Sequence, residues 1–155
     1  MAASTFEVKR STVINAPAPT IQQLINDFHE WPKWSPWEDL DPQMRRTYSG
    51  PEAGTGATYS WEGNKKAGTG DMTITADTPQ QVDIALNFLK PFPARNRIEL
   101  VLTPAGDAAT TVEWRMHGEL SGVIRLFSVV KSMDSLVGPD FEKGLARLKR
   151  VAEAG

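Results

Sequence analysis

The sequence predicts an α+β fold: a curved antiparallel sheet of about seven strands, wrapped around a long C-terminal helix. Two patterns and one inference predict it. Between residues 43 and 118 apolar residues repeatedly alternate with polar ones, the signature of strands with one dry face. From Phe141 onward the period becomes helical, with Leu145, Leu148 and Ala152 at steps of four, three and four. The dry face of such a sheet needs a cover, and this last segment is the only one long enough to supply it. A twisted sheet wrapped around one helix tends to leave a hollow, which is where function is sought.

The elements follow in order. FEVKRSTVI, residues 6–14, is rich in β-formers and predicts a first strand. APAPTIQQLINDF then places Ile21, Leu24, Ile25 and Phe28 on one stripe of a helix of about three turns. Pro17 or Pro19 fits its first turn, where a missing N–H costs nothing. Six strand signals come next. QMRRTYS puts Met44, Arg46 and Tyr48 on one face, and GTGATYSWEG does so for Ala57, Tyr59 and Trp61. After a turn at Asn64, GDMTITAD aligns Met72, Ile74 and Ala76, and QVDIALNFL aligns Val82, Ile84, Leu86 and Phe88. RNRIELVLT aligns Ile98, Leu100 and Leu102, and TTVEWRMHG aligns Val112, Trp114 and Met116. Phe127, Val130, Met133 and Val137 form a helical stripe before Gly138 and Pro139, where a kink or break is expected.

Composition narrows the chemistry. A chain of 155 residues predicts a single domain, 1–155, able to bury roughly 70% of its unfolded surface. It has no cysteine and two histidines, so thiolate catalysis is excluded and neither a metal site nor a cofactor is expected. A net charge of −2 gives no reason to expect nucleic acid. No apolar run approaches the ~20 residues of a membrane span, and MAASTFEVKR lacks signal-peptide regions, so a cytoplasmic location is expected. The glycines of GTG at 54–56 and 68–70 lack the context of a phosphate loop and read as turns and bulges.

WPKWSPWEDLDP, residues 31–42, holds three of the five tryptophans. Trp31, Trp34 and Trp37 recur every third position, which brings them together on a helical or 3₁₀ turn stiffened by prolines. Trp31 reads as a hydrophobic plug between the first helix and the sheet. Rigid aromatic area builds a wall without a long element.

Three stretches then resemble a known family: INAPAPTIQQLINDFHEWPKWSPWEDLDP, RRTYSGPEAGTGATYSWEGNKKAGTGDMTI and GPDFEKGLARLK. In order and spacing they are similar to the START-like (SRPBCC) superfamily, in its polyketide cyclase/dehydrase-like branch. The resemblance implies a helix-grip fold, with a second short helix at the tryptophan segment closing one end of a cavity. Trp34 and Trp37 then belong to the cavity mouth. It implies an apolar ligand (lipid, sterol, hormone or polyketide in relatives) and admits two alternatives, a cyclase or dehydratase and a protein-interaction module of the chaperone-activator type. The sequence identifies no protein partner.

The expected cavity lining is Tyr59, Trp61, Phe88, Trp114 and Met116 from the sheet, facing Phe127, Val130 and Met133. Arg46 either points inward, where Glu38 can pair with it, or lies wet on a bent edge strand. His117 shares the outward parity of Glu113 and Arg115, while Arg97 and Glu99 face the same way for cross-strand ion pairs. His29 ends the first helix as a cap or surface residue, with a general-base role as the alternative. An inner face this apolar, without a converging acid–base pair, favours a binder over an enzyme. Incubation with a strong chelator is accordingly expected to leave the melting temperature unchanged; a fall of several degrees would overturn the metal-free reading.

Overall fold

Alternating apolar residues stabilise a strand only when a neighbour covers them, and here each period-two segment pairs with the next. The computed structural model describes residues 5–36, 43–64, 68–90, 94–119 and 133–154. Its strands are β1 (Thr5–Ile14), β2 (Arg45–Ser49), β3 (Thr58–Glu62), β4 (Thr69–Thr78), β5 (Gln81–Lys90), β6 (Ala94–Pro104) and β7 (Thr110–Glu119). Between β1 and β2 lie helix α1 (Ala18–Ile25) and a 3₁₀ helix (Phe28–Lys33), and helix α2 (Met133–Ala154) closes the order. All seven strands form one antiparallel sheet in the order β1-β7-β6-β5-β4-β3-β2. The helix-grip expectation is met.

The first helix is shorter than its stripe predicts. α1 ends at Ile25, and Asp27 turns extended, its carboxylate accepting the backbone N–H of His29. That contact caps the 3₁₀ helix, so a local side-chain bond interrupts a hydrophobic stripe that still points inward. Ile21, Ile25 and Phe28 are all buried, and His29 belongs to the second element, not the first.

The expected break at Gly138–Pro139 is not found: α2 is assigned as helix across both. A Cβ on Gly138 would lie 2.2 Å from the Arg10 guanidinium, so this glycine admits Arg10 beneath the helix. From there α2 runs parallel to β1. Arg10 Nε donates to Glu142 at 3.0 Å, Lys149 Nζ to the Val13 carbonyl at 2.9 Å, and the Asn15 N–H to Glu153 at 2.8 Å. Lys149, followed by the Asn15 N–H, holds the Glu153 carboxyl below its usual range.

The core lies between α2, α1 and the inner faces of β4 to β7. Phe141, Leu145, Leu148 and Ala152 are buried as the helical spacing predicts. Gly144 sits among them because a Cβ there would fall 2.8 Å from the Trp114 ring and 3.0 Å from Pro36. Gly144→Ala is therefore expected to destabilise by about 1–3 kcal/mol through overpacking, despite the better helix propensity of alanine. Leu148→Ala, which empties a filled site, is expected to cost about 2–5 kcal/mol. Urea unfolding measures both, and a stabilised Gly144→Ala would show that helix and tryptophan do not meet this closely.

Candidate functional site

The sheet register sorts the inner face into rows across the strands. One row runs Val8, Met116, Ile98, Ile84 and Ile74, and the next toward α1 includes Trp114, Leu100 and Val82. Apart from Met116, these residues are sealed from solvent. In the opposite direction the rows become Gly118, Asn96, Leu86, Met72, Tyr59 and Tyr48, followed by Phe88, Gly70, Trp61 and Arg46. There Arg46, Trp61, Phe88 and Gly118 are only half-buried. The concave face thus has a packed end, under α2 from Phe141 onward, and a more open end near the first turns of that helix.

An aromatic chain joins the two. Phe141 of α2 stacks on Trp114 at 4.3 Å and 4°, and Trp114 meets Trp34 edge-on at 5.5 Å. The chain continues through Trp31 at 4.6 Å, Phe28 at 5.4 Å and Tyr59 at 5.8 Å. It ends with Trp61 at 6.0 Å and Phe88 at 5.7 Å, the last pair edge-to-face. Gly70 makes room for this end, since a Cβ there would lie 2.8 Å from the Trp61 ring.

The tryptophan segment has a second task. The indole N–H of Trp31 donates to the Ile25 carbonyl and that of Trp34 to the Leu24 carbonyl, each at 2.8 Å. These are among the last carbonyls of α1, which no further helical N–H reaches. Trp31 is the plug the sequence predicts. Trp34 is wholly buried between Trp31 and Trp114, in the packed end and not at a mouth.

The other predicted lining residues separate likewise. Trp114 lies in the packed end, stacked on Phe141. Tyr59 bridges the two regions, while Met116, Trp61, Phe88 and Arg46 lie toward the open end. Arg46 shares the inner face with Tyr48, pairs in register with Trp61 and is half-buried. Met133 is the first residue of α2, and Trp37, Glu38, Phe127 and Val130 lie outside the described residues. Sequence reasoning passed over Asn96 and Gly118. Both carry the inward parity of Ile98 and Met116, so extending the period-two count by one step finds them.

The outer face carries paired charge. His117 contacts Glu99 across β6 and β7 at 2.6 Å, and Arg115 pairs with Glu113 along its own strand. That bond from Glu113 raises the Arg115 pKa above its already high ordinary value. His29 stacks on Tyr48 at 4.1 Å and contacts Asp27 at 2.8 Å, beside a surface depression of about 210 Å³ floored by Phe28 and Gly50. Among the described residues no three acidic or histidine side chains gather where a metal could be held.

The family model for polyketide cyclase / dehydrase and lipid transport matches residues 5–153. The chain belongs to that family. Solved structures agree on the fold. Norcoclaurine synthase from Thalictrum flavum, solved with dopamine and hydroxybenzaldehyde, superposes with a TM-score of 0.70 at 7% identity, covering 96% of this chain and 87% of that one. A Thermobifida fusca protein solved in solution gives 0.65 at 21% identity, over 96% and 93%. A Chromobacterium violaceum protein gives 0.65 at 12%, over 95% and 96%. No curated protein matches the sequence. Among the described residues no helix is long and apolar enough to cross a membrane.

Trp31→Phe keeps an aromatic ring in the plug but leaves the Ile25 carbonyl without its donor. A loss of about 1–3 kcal/mol is expected, the range for an unsatisfied buried polar group. Thermal unfolding measures it, and an unchanged melting temperature would dismiss the indole as a cap.

Proposed function

We propose that the chain forms one ligand-binding unit that holds an apolar or amphipathic small molecule of lipid-, polyketide- or aromatic-like character, without transforming it. The site is the open end of the concave sheet face, beside the first turns of α2. The change in burial along that face carries the reading. Trp61 and Phe88 are large, apolar and inward-facing yet only half-buried, while equivalent positions two rows away are sealed. A protein core has no reason to leave aromatic area uncovered at one end only, whereas a binding wall does.

Chemistry at that end supports binding over catalysis. Arg46 is the charged side chain of the open rows, beside the phenols of Tyr48 and Tyr59, and no described inner-face carboxylate accompanies it there. Asp77, at the other end, is engaged by Gln22 at 2.8 Å and Asn26 at 3.1 Å. Arg10 is tied to Glu142 beneath α2. General acid–base chemistry needs two groups that converge on a substrate, and these do not. The family's description spans both cyclase/dehydrase activity and lipid transport; the open end favours the latter kind of task.

Nile red, an apolar dye whose emission reports polarity, is expected to bind at one location and to quench tryptophan fluorescence. Phe88→Ala and Trp61→Ala are each expected to weaken that binding several-fold while costing less stability than Leu148→Ala, because half-buried side chains have fewer packing partners to lose. Equal dye affinity in both variants would remove the site from this end of the sheet. Native mass spectrometry of protein from its own host, with a retained small molecule, would give the ligand class directly.

A further inference from the structure

We propose that Asn96 is the polar anchor of this site, so that the guest carries a hydroxyl or carbonyl on its apolar body and is selected by that group. This rests on the binding reading above and goes further by naming the group recognised and the residue that recognises it.

Asn96 stands on the inner face of β6, where the following inward positions are Ile98, Leu100 and Leu102. Its neighbours in register are Leu86 on β5 and Gly118 on β7. The residue is only 9% exposed, so most of its side chain is out of water. Taking an amide largely out of water costs free energy, and leucine, already present beside it at position 86, would avoid that cost. Retaining an amide there is explained by a bond that replaces the lost hydration.

Gly118 shows that the amide's place is built. A Cβ at this position would lie 2.4 Å from Asn96 Oδ1 and 2.9 Å from the Arg95 carbonyl. Any other residue would displace the amide, so the glycine keeps a slot open on the inner face of β7. Glycine inside a strand weakens it and commonly marks a point of close approach. The amide lies one row from the half-buried Phe88 and one row from Met116. Apolar surface thus flanks an amide that both donates and accepts. That pattern, mostly apolar with one fixed polar contact, orients a small amphipathic molecule.

Three probes of nearly equal size separate the possibilities: 2-naphthol, which donates and accepts; 2-methoxynaphthalene, which only accepts; and 2-methylnaphthalene, which does neither. Calorimetric titration of the wild-type protein is expected to rank them in that order. The first should bind about tenfold more tightly than the last, the factor an ordinary hydrogen bond supplies. Asn96→Leu is expected to erase the ranking while still binding 2-methylnaphthalene. Should that variant fold poorly, ¹⁵N spectra of the wild-type protein decide the matter, since 2-naphthol is expected to move the Asn96 side-chain amide pair. A ranking that survives Asn96→Leu, no ranking in the wild type, or an unmoved amide pair with bound 2-naphthol would overturn the anchor and leave the binding reading standing. Failure of all three probes to bind would overturn both.

Discussion

The structure depends on how Trp114 is held. Its ring lies flat against Phe141 and edge-on to Trp34, with the missing side chain of Gly144 letting α2 descend onto it. Three separate parts of the chain meet there: strand β7 of the sheet, the covering helix and the segment that follows α1. Aromatic rings suit such a junction because they bury large area with few rotatable bonds. Through Trp31 and Trp34 the same junction reaches the last carbonyls of α1. A helix of eight residues has little stability of its own, so its end is completed by side chains from elsewhere.

The sheet and the covering helix were legible because periodicity reports directly which side of an element is dry. Leu145, Leu148, Ile98 and Leu100 all lie where their spacing put them. Element ends were less legible, since they turn on single local bonds. Asp27 closes one helix and opens another with one carboxylate, and nothing in the stripe from Ile21 to Phe28 announces it. Pro139 misled in the opposite direction. Backbone preference argued for an interruption, but helix is assigned across it, with Phe141 to Ala152 packed on the sheet.

Alternation shows that Trp114 and Phe88 face the same way, but it is silent on what stands above each. The distinction is one of position along the strand relative to α2, a tertiary property. Trp114 is covered by Phe141, while Phe88 meets Trp61 at the half-buried end. Trp34 illustrates the same limit: three-residue spacing brings it beside Trp31, yet its burial comes from a strand eighty residues further on. Asn96 was within reach of the sequence, as the one polar residue on an inward parity that otherwise reads Ile, Leu, Leu. An exclusive search for apolar alternation discards such exceptions, and exceptions are where recognition is found.

The alignment of α2 with β1 also bears on biosynthesis. Arg10, Val13 and Asn15 are held by Glu142, Lys149 and Glu153, partners more than 130 positions away. On the ribosome, the first strand and the whole meander emerge before the helix that covers them. Until that helix arrives, Trp114 and its neighbours have no lid, and Arg10, Val13 and Asn15 lack these partners. The nascent chain therefore passes through a period in which an apolar sheet face is open to other chains. Completion of the fold waits on this covering helix, and contacts this distant in sequence form slowly.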